Sequence, residues 1–351
     1  MRKNTLGFFV FCGFILIGIS ACEGDQGPLG PIGPIGPIGP MGENGAQNCM
    51  DCHGNSQLIT AKLFQWEHSV HATGGHFTRN TFVCANCHTS QGFLQRVAEG
   101  DWIFEGDPVE DPLPPNCYTC HRIHTTYTQA DWEFTQASPV TLLVEGVTLD
   151  YGKGNQCLNC HQSREYTPAL PDPATGGTVN ITSSRYGPHH GPQGTILAGV
   201  GGYEIAGSMP YENSAHTDVL RNNVFNGCIA CHMGPAQGVD AGGHTFRVIS
   251  EGGSLNTAAC ATCHENRNEL LALVDDRHAE YDSLFLELQA RLLARGLLNA
   301  SNPEQNTTGT YEGHEAGVMF NYKLCLEEKS RGIHNFKYAK ALMVNSIEAL
   351  K

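Results

Sequence analysis

Six times the chain reads Cys-x-x-Cys-His: Cys49/Cys52/His53, Cys84/Cys87/His88, Cys117/Cys120/His121, Cys157/Cys160/His161, Cys228/Cys231/His232 and Cys260/Cys263/His264. With 15 Cys and 17 His among 351 residues, chance placement yields about 0.03 such runs. Two thiols three residues apart on a helical turn can form thioethers with the two vinyl groups of one haem, and the adjacent His presents a ring nitrogen to its iron. The pattern predicts six covalently held c-type haems, with His53, His88, His121, His161, His232 and His264 as proximal ligands. Zinc sites made from the same twelve thiols, or thioredoxin-like disulfide pairs, leave the His after every second Cys unexplained. Three Cys fall outside the motifs. Cys12 lies in an apolar leader, Cys22 ends it, and Cys325 falls in an apolar helical stretch where a thiol behaves as a small buried hydrophobe.

Eleven further His remain: His68, His71, His76, His124, His189, His190, His216, His244, His278, His314 and His334. An iron that only relays electrons is best closed by two strong ligands, so six more imidazoles are needed. Loop contexts rich in small residues favour His71 in HSVHA, His216 in NSAHTD and His244 in GGHTF. His334 stands just ahead of the last helix, His190 belongs to the adjacent pair in YGPHHGPQ, and His124 follows a proximal His by three residues. These six are the expected distal ligands, with His76 and His189 in reserve. Met209, Met233, Met319 and Met343 have no distinctive context.

These groups must be positioned by a chain with little regular periodicity. From residue 48 to about 267 it is rich in Gly, Pro, Asn and Thr, which reads as short helices at the motifs joined by long loops. So much loop would leave a domain without a core unless buried cofactors supplied one. Residues 268–351 differ. Leu270, Leu273, Val274, Tyr281, Leu284, Leu288 and Leu292 recur at helical spacing over 269–295, a second helix is expected over 314–329, and Asn335 reads as the N-cap of a third. The expected fold class is mainly α with extensive loops, a haem-organised core followed by long C-terminal helices.

The N-terminal part concerns position. Residues 1–21 combine Arg2 and Lys3 with a short apolar run and read as an export signal. Ile19-Ser20-Ala21-Cys22 resembles a bacterial lipobox, which makes Cys22 the expected lipidation site and anchors the chain to a membrane without spanning it. Within residues 22–47, Gly falls at every third position from Gly24 to Gly45, often followed by Pro, a pattern that favours polyproline II. As one extended chain this tract reaches about 75 Å at ~3.1 Å per residue. It serves as a stalk, or as one strand of a collagen-like homotrimer. A formal net charge of -14 excludes nucleic acid as a partner and leaves redox proteins, other cytochromes or metal oxides.

HHGPQ, GGHTF after a CxxCHM motif, and the terminal EKSRGIHNFKYAKALMVNSIEAL resemble segments of the multihaem cytochromes c related to pentahaem nitrite reductase and the octahaem reductases. The resemblance covers roughly residues 48–351. It implies bis-His haems followed by long helices, with His190, His244 and His334 as distal ligands. Nitrite reductases hold the catalytic haem through a Lys in place of the motif His, and no CxxCK occurs here. The chain is also similar in type to lipid-anchored, outer-surface cytochromes of metal-respiring bacteria. The expectation is an exported hexahaem electron carrier on the periplasmic or outer face of the outer membrane. The alternatives are a reductase of nitrite, hydroxylamine or a sulfur oxyanion with one open haem, and a subunit of a cytochrome filament.

Overall fold

The computed structural model describes residues 49–50, 53–54, 56–221 and 225–351. The leader, Cys22, the Gly-x-y tract and Cys52 lie outside the described residues. Among those described, no helix is long and apolar enough to cross a membrane.

The motif region is built from short helices: α1 (Ser56–Glu67), α2 (Val70–Thr73), α3 (Phe82–His88), α4 (Ser90–Glu99), α5 (Cys117–Cys120), α6 (Asn155–Leu158), α7 (Gln193–Ala198), α8 (Ala215–Leu220) and α9 (Cys228–His232). Several begin at a polar cap. The Asn116 side chain accepts from Tyr118 N while Thr119 returns a bond to Asn116 N, and Thr89 accepts from Gly92 N. Before residue 140 the only buried apolar side chains among the described residues are Ala85 and Phe93. A smaller core follows, in which the two-stranded ladder β1 (Val140–Thr141) and β2 (Thr148–Leu149) packs with Tyr151, Leu158 and Leu197.

The C-terminal region is an ordinary side-chain core. α10 (Arg267–Ala294) starts at Asn266, whose side chain accepts from Asn268 N and Glu269 N, and it buries Leu270, Tyr281, Leu288 and Leu292 on one face. α11 (Gly313–Glu328) is buried on nearly every side, as a helix apolar all round must be. α12 (Phe336–Ala349) starts at Asn335 and packs on both. Gly317 of α11 leaves room for the Tyr203 ring, which any Cβ there would overlap.

Strands appear where the sequence predicts a polar loop. β4 (Leu298–Asn299) pairs antiparallel with β5 (Asn302–Asn306), and β6 (Gly309–Glu312) pairs with the distant β3 (Thr178–Ile181) in the register Thr178↔Glu312 to Ile181↔Gly309. The β3–β6 partners are about 130 residues apart, so nothing local marks them. Buried asparagines then bind loops to helices. Asn321 holds the Tyr203 N–H and C=O at 2.8 Å each, and Asn345 holds both backbone groups of Met209. Each amide satisfies a buried peptide that lacks a ladder partner.

Candidate functional site

Each described motif occupies a helical turn. His121 N, His161 N and His264 N donate to the carbonyls of Cys117, Cys157 and Cys260 at 2.9, 3.0 and 2.9 Å. The i, i+3 spacing puts both thiols on one side of the turn, with the His at its end. In the first motif Cys52 is outside the described residues, while Cys49 and His53 are exposed.

The sixth motif departs from the short helix expected at each Cys pair. Cys260 to Cys263 form a single turn, with Cys263 N donating to Cys260 O at 3.1 Å, and no helix of their own. Cys260 is half-buried, and Cys263 is exposed, as are Cys49 and Cys117. The start of α10 lies close behind, where Asn266 takes an extended conformation, φ -93° and ψ 104°, to cap that helix.

Every motif His faces a second imidazole. The ring centroids are separated by 6.2 Å for His53 and His124, 6.1 Å for His161 and His71, 6.3 Å for His121 and His244, 6.3 Å for His264 and His216, and 6.2 Å for His232 and His334. A metal–imidazole bond of about 2 Å on each side, plus a little over 1 Å from nitrogen to ring centre, puts two imidazoles on one ion roughly 6 Å apart.

His88 faces two rings, His76 at 6.0 Å and His189 at 6.2 Å. His190 stands elsewhere. Its ring lies 5.1 Å from His189, and its Nδ1 meets Glu327 Oε2 at 2.7 Å. The loop turns at His189, whose backbone is left-handed at φ +70°. The HHGPQ context carries no signal that distinguishes His189 from His190, because only the turn decides which ring faces inward. The structure brings neither His68, His278 nor His314 to a motif His. His68 Nδ1 instead donates to Phe64 O at 2.7 Å.

The outward nitrogens of these rings are anchored. Nδ1 of His121, His216 and His232 donates to the carbonyls of Trp132, Ile333 and Phe246 at 2.8, 2.7 and 2.8 Å. His161 Nδ1 donates to Gln193 Oε1 at 3.1 Å, and His334 Nδ1 to Glu328 Oε1. A carbonyl can only accept, so Nδ1 carries the proton and Nε2 keeps the lone pair that a metal requires. Phe246 aims its carbonyl from a left-handed conformation, φ +57°. His244 is placed by Gln65 of α1, whose Oε1 accepts from His244 N at 3.0 Å.

The electrostatics keep most of these rings neutral. Burial lowers the pKa of His71, His88, His232 and His244 to about 4, helped by neighbouring cationic or imidazole groups, and lowers those of His121 and His161. For His334 burial acts in the same direction, but the Glu328 carboxylate outweighs it and the pKa is raised. Burial also pushes the Cys120 thiol up to about 12 and the Cys231 thiol to about 11.

The residues fit haem c. Desolvation lowers the His161 pKa although the residue keeps exposed area. Facing imidazoles with free Nε2 atoms, a gap between them and two thiols on the adjoining turn form a cradle for a flat, covalently held group. Among the described residues no three or more His, Cys, Asp or Glu gather around a bare metal ion.

The motifs adjoin one another. Cys87 lies beside Cys160, and Cys157 beside Cys228. Cys120 lies near Cys160, and Cys231 near both Cys260 and Cys263. His71 sits close to His232, and His161 close to His334. The fourth motif therefore borders the second, third and fifth, and the fifth borders the sixth. Arg96 of α4 locks part of this junction. It is 4% exposed, stacks under Phe93 and Trp102, and donates to Asn159 O and Oδ1 at 3.2 and 2.8 Å.

No protein-family model matches the chain, and no curated protein matches it. A solved structure does: the crystal structure of outer cell wall cytochrome OcwA aligns with a TM-score of 0.52 at 18% identity, over 82% of this chain and 50% of that one. The chain spans about half the length of that cytochrome. The likeness is one of fold, and the fold is a cytochrome's.

Proposed function

We propose that the protein is a hexahaem c-type cytochrome that carries electrons one at a time, with every iron held between two imidazoles. The observation that carries this reading is the facing of each of the six motif histidines by a second ring at 6.0–6.3 Å. Haem c supplies one-electron redox chemistry when bound. The chain's own residues do the rest. His53 pairs with His124, His161 with His71, His121 with His244, His264 with His216, and His232 with His334.

For His88 the reading assigns His76, the nearer ring at 6.0 Å against 6.2 Å for His189. His189 then stands beside the site and His190 is tied to Glu327. The adjoining motifs support a compact array: third, fourth, fifth and sixth in succession, the second joining at the fourth, and the first reaching the third through His124, whose ring contacts both His53 and Tyr118. Closed pairs exclude water and substrate from the metal positions, which favours a carrier over a reductase with one open haem. The apolar leader with Cys22 and the Gly-x-y tract support export, lipid anchoring and display from the outer membrane. The setting named for the similar cytochrome, an outer cell wall, agrees with an envelope location.

Haem staining with mass measurement should give six haems per chain, and low-temperature EPR should give only low-spin ferric signals. A stoichiometric high-spin signal in the unmodified protein defeats the closed-pair reading. His76→Ala should open one high-spin site, and His189→Ala should not; the reverse result exchanges their roles.

A further inference from the structure

The anchors on the paired rings are not equivalent. Three of the five observed Nδ1 partners are peptide carbonyls and one is an amide oxygen; only His334 meets a carboxylate. That carboxylate, Glu328, is 2% exposed. Its other oxygen accepts from Ser330 N at 3.0 Å and Ser330 Oγ at 2.9 Å, both neutral donors. No Lys or Arg pairs with Glu328 among the described residues.

Its neighbour Glu327 provides the contrast. Glu327 is also interior but shares its charge with Lys323 at 3.3 Å, and its imidazole partner, His190, faces no motif His. The turn that presents Glu328 is also unusual. Between α11 and α12, Lys329 and Arg331 both adopt left-handed backbone, φ +66° and +53°, before Gly332 at +92°. Such conformations cost about 1–3 kcal/mol each and persist where surrounding structure demands them. Here the turn folds Ser330 and His334 back onto the one carboxylate, and Ser330 Oγ also accepts from His334 N at 3.1 Å.

We propose that Glu328 is a positioning residue that gives the His232–His334 site the lowest reduction potential of the six. The inference rests on the reading that these two rings share one iron. A carboxylate drawing on the Nδ1 proton makes the ring a stronger donor through Nε2. The ferric state carries one more positive charge than the ferrous state, so a buried, uncompensated negative charge a few ångströms away favours it, and the low local dielectric enlarges the effect. Peptide carbonyls pull less, so the other sites lie higher. Because the fifth motif adjoins both the fourth and the sixth, an electron crossing the array meets its highest step there.

The test is a spectroscopic redox titration of the haem-loaded full chain, following the low-spin EPR signals at stepped potentials. Glu328→Gln should move the lowest of the six steps upward and leave the other five in place. Glu328→Asp keeps the charge but withdraws it by one methylene, and should move the same step upward by less; it also serves if the Gln variant folds poorly. Glu327→Gln should leave that step where it is. An unmoved lowest step, or an equal shift of all six, overturns the proposal. Failure of the underlying pairing looks different: His334→Ala would then leave every haem low-spin, whereas a correct pairing makes one haem high-spin.

Discussion

The motif region and the C-terminal helices solve the problem of a hydrophobic core in opposite ways. From residue 267 onward, α10, α11 and α12 interlock Leu288, Leu292, Phe320, Tyr322, Leu342 and Met343, each at most 1% exposed. Before residue 140 the same chain buries only Ala85 and Phe93, yet nine of the thirteen exposed large hydrophobics lie there, including Leu58, Leu63, Phe64 and Val70. A chain that leaves its aliphatic groups uncovered on one side and packs them on the other expects something else to cover them. Flat, apolar cofactors held as proposed between the paired imidazoles would do so. The lesson is that one half is stabilised by its side chains and the other by what those side chains hold.

The largest expected effect comes from removing a cofactor. Replacing Cys84 and Cys87 with Ala should reduce the haem count by one and abolish amide-exchange protection in α3 and α4, while α10 to α12 retain theirs. Equal loss in both regions would erase the contrast. Next comes the side-chain core itself. Leu288→Ala removes a side chain with no exposure and should cost about 3 kcal/mol in denaturant unfolding, with haem spectra unchanged.

Arg96→Met tests the seam between a motif helix and the fourth motif. Losing two charge-assisted bonds to Asn159 and two ring stacks should cost about 2 kcal/mol, visible as a lowered midpoint and faster exchange in α4. The smallest effect is electrostatic and confined to the helices. Glu280 accepts from Lys340 Nζ at 2.6 Å and pairs with Arg277 at 3.0 Å, and these cations hold its carboxyl below the usual range. A depressed folded-state pKa contributes stability above the unfolded value of about 4.3 that is lost as pH falls through the folded value. Glu280→Gln should therefore flatten the acid limb of the stability profile slightly, leaving stability below that window unchanged.

The chemistry was largely legible in the chain, because a thioether pair and its proximal His lie within five consecutive residues and need only one helical turn. Even there the surroundings were not: Cys49, Cys117 and Cys263 are exposed while the other described motif thiols are half-buried, which the motif itself does not encode. The long helices were legible for the same local reason: Asn266 and Asn335 cap them, and their apolar residues recur at helical spacing. The distal side was harder. His71, His124, His216, His244 and His334 come to motif histidines, though His71 and His216 sit on short helices where their contexts suggest loops, and the ring facing His88 depends on a turn at His189 and on the placement of His76, neither of which leaves a local mark. The β3–β6 ladder, the carboxylate beneath His334 and the contact of the fourth motif with three others belong to the same class. Local covalent spacing is written in consecutive residues; which ring closes a site, and which sites touch, depends on contacts between segments as much as 179 residues apart, and only the folded chain decides them.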